Sequence, residues 1–315
     1  MNWIQSFELL CYAIAIVFFV DLIRNNKKNE FFLFLSAAFA GFALELLAVR
    51  LTGIYHYSND FFIQIGPKPY QFPFFGGLMW GALAVCAWRI AKKFSLSKRK
   101  TALLSGWLIV SLDLFLDVAA IRLNGGFWVW DGRPITLEIS HHLFMSVIWV
   151  NFLGYLFETP TIVYLWLAQQ EKGGKSVLRA LGSAVLIGVA GVGVVGIAST
   201  ISLWLDKWSD EWFSFLAFVL IWMTVFFRIV LYLVRHRKNI TWEAKKDKVL
   251  LFTWGALYLY CIAALIQLNI LQEVPVYGLF AALMMSLTLI LSMIRFDRPK
   301  DTSADLIQDE TGSDE

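Results

Sequence analysis

Nine apolar runs of similar length divide the chain, at residues 3–23, 31–51, 72–91, 102–121, 141–168, 177–204, 211–233, 249–268 and 274–294. A hydrocarbon core about 30 Å thick needs about 20 apolar residues per helix. The pattern therefore predicts an all-α fold, a polytopic bundle of about nine transmembrane helices filling residues 1–296. The first run follows only Met1 and Asn2, carries Glu8, and has neither a basic leader nor a small-residue cleavage site. It reads as a retained helix and not as a signal peptide.

The polar connections fix an orientation. Five alternate ones, at 24–30, 89–100, 169–179, 235–248 and after 294, hold 21 of the 27 Lys and Arg residues. The intervening set holds only Arg50, Lys68, Arg122, Arg133 and Lys207, with Arg228 inside the seventh run. By the positive-inside rule the N-terminus lies outside and the C-terminus in the cytoplasm. The last 19 residues, 297–315, are acidic and lack apolar periodicity, as expected of a disordered cytoplasmic tail.

Composition agrees with this pattern: 58% of residues are hydrophobic, 16% are charged, and the mean hydropathy is +0.63. A soluble domain does not need that much apolar sequence. Cys11, Cys86 and Cys261 fall in three different apolar runs without metal-ligand spacing, so they read as small core hydrophobes, and neither disulfides nor a zinc site are expected. No glycine-rich phosphate loop follows a strand, so no nucleotide cofactor is expected. Basic loops that topology already explains give no support to nucleic-acid binding.

Against this apolar background, a few polar residues are anomalous. Asp113 and Asp117 stand one helical turn apart within the run 102–121, on one face of a helix, where a carboxyl exposed to lipid is costly. Glu45 falls in the outer third of the second run, and His141 and His142 begin the fifth. Helices two to five thus carry Glu45, Arg50, Asp113, Asp117, His141, His142, Asn151 and Glu158, whereas helices six, eight and nine are nearly free of ionisable residues. Run 177–204 instead holds Gly182, Gly188, Gly191, Gly193 and Gly196, the composition of a helix packed backbone to backbone.

Several of these residues also have a plain structural reading. Arg50 and Arg122 suit snorkelling to headgroups, and Trp128 and Trp130 suit an aromatic belt. His141 and His142 suit a helix start, and Glu158 beside Thr159 and Pro160 suits a paired residue at a kink. The carboxylates Glu45, Asp113 and Asp117 are harder to account for this way, because Ser, Thr or Asn makes interhelical bonds at lower cost. Mutual repulsion in an apolar site favours one shared proton on such a pair. The pair is then a proton donor able to protonate an alkene, with aromatic faces stabilising the cation.

The stretches LELLAVRLTGIYHY (44–57), LDLFLDVAAIRLNGGFWVW (112–130) and WVNFLGYL (149–156) resemble the membrane-embedded carotenoid biosynthesis family that includes carotenoid 1,2-hydratases and bisanhydrobacterioruberin hydratase. The matching positions are Glu45, Thr52, Gly53, Tyr55, Tyr57, Asp113, Asp117, Trp128, Trp130, Asn151, Phe152, Gly154 and Tyr155. Val118 replaces a Pro of the pattern, only Ile54 separates Gly53 from Tyr55, and the interval from Trp130 to Asn151 is longer. At least two helices in the last 150 residues lie outside these motifs.

The resemblance implies a cofactor-independent enzyme, a hydro-lyase of the multi-pass cell membrane, hydrating a terminal double bond of a polyisoprenoid or carotenoid. Asp113 and Asp117 would protonate it and Glu45 would deliver water. Tyr55, Tyr57, Trp128, Trp130, Asn151, His141 and His142 would hold the substrate, with membrane lipids and other pathway enzymes as partners. Two alternatives use the same groups: a proton-coupled transporter or immunity-type membrane protein, and a metal-dependent enzyme using the two histidines. The latter is disfavoured if they are helical, since adjacent side chains then diverge by about 100°.

Overall fold

A computed structural model describes residues 1–53, 55–130, 132, 134–171, 176–243 and 247–296; the acidic tail and Ile54 lie outside the described residues. Long helices dominate: α1 (Trp3–Arg24), α2 (Lys28–Thr52), α3 (Phe74–Ala91), α4 (Lys98–Ala120), α5 (Trp149–Gln170), α6 (Val177–Ser209), α7 (Trp212–Arg235) and α8 (Lys248–Gln267). After the four-residue α9 (Ile270–Glu273) comes α10 (Pro275–Met293). Among the described residues, eight of the nine long helices are apolar enough to cross a membrane; α5 is the exception. Asn151, Glu158, Thr159, Pro160 and Thr161 lower its apolarity, and α5 packs against α4, α6 and α7 within the bundle. One hydrophobic cluster runs from Ile4 to Ile294, and the three cysteines are buried free thiols within it.

Short antiparallel ribbons close the ends. β1 (Tyr55–Tyr57) pairs with β4 (Trp128–Trp130), and β2 (Gln64–Ile65) pairs with β3 (Phe72–Pro73). β5 (Leu143–Phe144) pairs with β6 (Val147–Ile148), and β7 (Ile240–Trp242) pairs with β8 (Ile294–Phe296).

Side-chain bonds confirm the alternation of the helices. At one end, buried Arg89 of α3 bonds Asp21 of α1 at 2.6 Å, Glu30 of α2 at 2.7 Å and Asp247, the N-cap of α8, at 3.3 Å. At the other end, Glu8 of α1 accepts from the backbone N–H groups of Phe62 and Ile63 at 2.6 and 3.0 Å, and Asn124 accepts from Trp3 N–H at 2.9 Å. The α8 residue Tyr260 donates to Trp3 O at 2.8 Å at that same end. The end of α1, the start of α2, the end of α3 and the start of α8 thus share one face of the bundle. Reporters fused at residue 95 and at residue 130 are expected on opposite sides of the membrane; finding both on one side would overturn the orientation.

Two expectations need correction. The fifth helix begins at Trp149 and not at His141. The cause is Arg122, which does not reach for headgroups: its guanidinium donates to Val118 O, Thr136 O and Met145 O, drawing residues 136–148 into a folded connection. The β5–β6 hairpin then turns through Met145 and Ser146, both at positive φ. Secondly, only part of the glycine-rich face of α6 is close-packed. A Cβ on Gly188 would meet Ser36 O at 2.8 Å and one on Gly191 would meet Ile162 at 2.8 Å, whereas Gly182, Gly193 and Gly196 face open space. As for Pro160, its ring lies within helix α5 and occupies the room left by Gly106 of α4.

Candidate functional site

The site forms where α2, α3, α4 and α5 face the β1–β4 ribbon. Glu45 is buried on α2, two turns before the helix ends at Gly53, whose left-handed conformation (φ 60°) reverses the chain into β1. Side chains two apart on a strand share a face, so Tyr55 and Tyr57 both return to Glu45. Their hydroxyls donate to the same oxygen, Oε2, each at 2.7 Å. Burial and the nearby Glu45 push both phenols well above their ordinary range, so each remains a protonated donor.

The pairing of β1 with β4 explains the spacing of two motifs. Tyr55 lies opposite Trp130 and Tyr57 opposite Trp128, with ring centroids 5.1 and 6.0 Å apart. The Tyr-x-Tyr and Trp-x-Trp segments are therefore two halves of one ribbon that presents four rings on one face. Each cross-strand aromatic pair adds roughly 0.2–1 kcal/mol to the ribbon.

Beneath the ribbon, Asp113 and Asp117 project from α4, both buried. Asp117 Oδ2 accepts from Asn151 Nδ2 of α5 at 2.7 Å. Asp113 Oδ2 is buried with no hydrogen-bond partner among the described residues, a costly state for a polar group that has no local structural reason. Glu45, Asp113, Asp117, Asn151, Tyr55, Tyr57, Trp128 and Trp130 all line a single cavity with about 870 Å³ of empty space, counting its open mouth. Its remaining walls are mostly apolar or aromatic, from Phe61, Phe72, Phe75, Met79, Trp80 and Leu83.

Eight of the ten residues expected in a site are thus brought together. His141 and His142 are not; they line a separate space against the α6–α7 turn. Glu158 is buried nearby on α5, and both its carboxyl oxygens are without a hydrogen-bond partner among the described residues, so it is not the paired residue expected beside Pro160. The walls supplied by α3 were missed. Trp80, which packs on Tyr155 at 4.9 Å, belongs to a charge-free part of its helix and gives no anomaly of cost to mark it. Trp128 and Trp130 line the cavity, a role that the aromatic-belt reading does not require.

This site defines a class: a membrane-embedded helical bundle with three carboxyls in an apolar, aromatic cavity. The model of the carotenoid biosynthesis protein family matches residues 5–223, and the chain belongs to that family. No curated protein and no solved structure matches it. It is a multi-pass membrane protein of carotenoid biosynthesis. The match reaches into α7, so α6 belongs to the family pattern, and among the helices named above α8, α9 and α10 lie wholly beyond it. These later helices close the site from behind: Leu257 of α8 lines the cavity, and Tyr277 of α10 donates to Leu114 O, between the two aspartates, at 2.5 Å.

Proposed function

We propose that the protein is an enzyme of the cell membrane that adds water across a terminal trisubstituted double bond of a carotenoid or related long polyisoprenoid. The observation that carries this reading is the meeting of Glu45, Asp113 and Asp117 in one aromatic cavity of a carotenoid biosynthesis protein. An apolar chain end fits such walls, and among the described residues none that lines the cavity is a lysine or arginine that could hold a charged headgroup.

The Asp113/Asp117 pair supplies the proton. Its transfer to the less substituted alkene carbon forms a C–H bond and leaves a tertiary cation. The faces of Trp128, Trp130, Tyr55 and Tyr57 stabilise that cation, since an aromatic quadrupole attracts positive charge. Glu45, held by its two tyrosine donors, orients the water that attacks the cation. The proton released as the C–O bond forms is accepted by a carboxylate, so the cycle balances without a cofactor. Asn151 positions Asp117 through their hydrogen bond.

The test is incubation of the purified protein, reconstituted in membranes, with an acyclic carotenoid bearing terminal isopropylidene groups. The expected product gains one water per reacted end and carries the heavy isotope when the reaction is run in oxygen-18 water. Substrate recovered unchanged, or altered without isotope uptake, would overturn the assignment.

A further inference from the structure

His141 and His142 lie outside the cavity and are not helical, which removes the objection that adjacent histidines diverge. Their backbone is fixed from several directions. Ser140 N–H bonds Leu143 O at 2.9 Å, Met145 N–H bonds Glu138 O at 2.7 Å, and Trp149 Nε1–H bonds Ser140 O at 2.8 Å. The two imidazoles are held with centroids 3.8 Å apart, and His141 stacks on Trp212 at 4.3 Å.

The α6–α7 turn faces them. Its two residues, Asp210 and Glu211, both adopt left-handed backbone conformations, φ 51° and 64°, which ordinary side chains rarely do. Such strain persists only where the surroundings enforce it and often marks a functional position. Asp206 holds the turn by accepting from Ser214 N–H and Oγ–H and from Glu211 N–H through its backbone carbonyl. Asp210 and Glu211 are left to face the histidines. His142 Nδ1 lies 3.1 Å from Glu211 Oε2, and His141 Nε2 lies 3.7 Å from Asp210 Oδ2.

Ligand atoms of His141, His142 and Asp210 all lie within 4.8 Å of one another. Donors around one tetrahedral zinc, with bonds of about 2.0–2.2 Å, are roughly 3.3 Å apart, so small rotamer adjustments suffice. His141 Nε2 is also buried with no hydrogen-bond partner among the described residues. Imidazole nitrogens with carboxylate oxygens suit a borderline ion such as zinc better than calcium or magnesium, which favour all-oxygen sets.

We propose that His141, His142, Asp210 and Glu211 form a site for one divalent transition-metal ion of the zinc class, tying the connection between α4 and α5 to the α6–α7 turn. The ion would clamp the connection that also carries the β4 strand of the cavity. Lys207 lines the same space and competes with the ion electrostatically. This proposal is independent of the hydration reading.

The full-length protein, purified in detergent with a tag free of histidine and stripped with a chelator, is titrated with cobalt(II) and then with zinc. The expected result is one equivalent of cobalt with a tetrahedral visible spectrum, displaced by zinc, together with a rise in melting temperature. Asp210→Asn should weaken binding at least about tenfold, and His141→Ala with His142→Ala should abolish it, as loss of ligands outweighs the 10–100-fold effect of outer-shell changes. Glu211→Gln, which preserves size, tests the same point if the double variant does not fold. Absence of saturable binding, or binding unchanged in the double variant and in Glu211→Gln, would overturn the site.

Discussion

Replacing Asp113 by Asn is expected to lower conversion of an acyclic carotenoid by about 10²–10⁴-fold, the contribution of a positioned general acid. Of the two aspartates, Asp117 is engaged by Asn151, whereas Asp113 Oδ2 is buried without a hydrogen-bond partner among the described residues, and Asp113 borders the cavity. An acid whose proton has no acceptor within the protein is the one free to pass it to substrate. Asn keeps the volume and one acceptor oxygen of Asp but offers no transferable proton, so the change separates chemistry from packing. Melting temperature in detergent should fall little, because no ion pair or hydrogen bond made by the lost oxygen is broken. Asp117→Asn should also reduce conversion, with an added loss of stability because its bond to Asn151 is disturbed. Full conversion by Asp113→Asn would exclude it as the acid.

The largest expected effect on stability is at Arg89. Its guanidinium is nearly inaccessible, with a side chain 2% exposed, and it compensates Asp21, Glu30 and Asp247 from three other helices. Removing one partner of a buried ionic network leaves the others uncompensated, at a cost of about 3–5 kcal/mol. Arg89→Ala is therefore expected to lower the melting temperature sharply and to loosen α1 and α8 from α3. Arg89→Lys should be intermediate, since a point charge cannot reproduce the fork that reaches several acids. Denaturant titration in micelles measures the difference; a loss below about 1 kcal/mol, typical of an ordinary substitution, would refute the clamp.

Much of the candidate site was legible from cost alone. A carboxyl in a membrane helix has no cheap structural purpose, so Glu45, Asp113 and Asp117 stand out from the sequence without knowledge of their neighbours. The aromatic ribbon was legible only as two motifs. Tyr55–Tyr57 and Trp128–Trp130 are three-residue strands about 70 positions apart, too short for periodicity to reveal and too distant for a turn signal to join. His141 and His142 were misplaced because the apolar residues after them continue into α5 without a break in pattern. Arg122 bonds the carbonyls of Thr136 and Met145 in the folded connection that precedes the helix, contacts that the local sequence does not signal.

The sequence by itself determined the apolar runs that form the long helices among the described residues and the anomalous acids within them, because a bilayer constrains length, charge and polarity residue by residue. Only the tertiary structure decided which acids share a cavity, which aromatic residues roof it and which arginine neutralises the opposite end. Those outcomes depend on contacts between segments far apart in the chain, and local hydrophobicity carries no record of such partners.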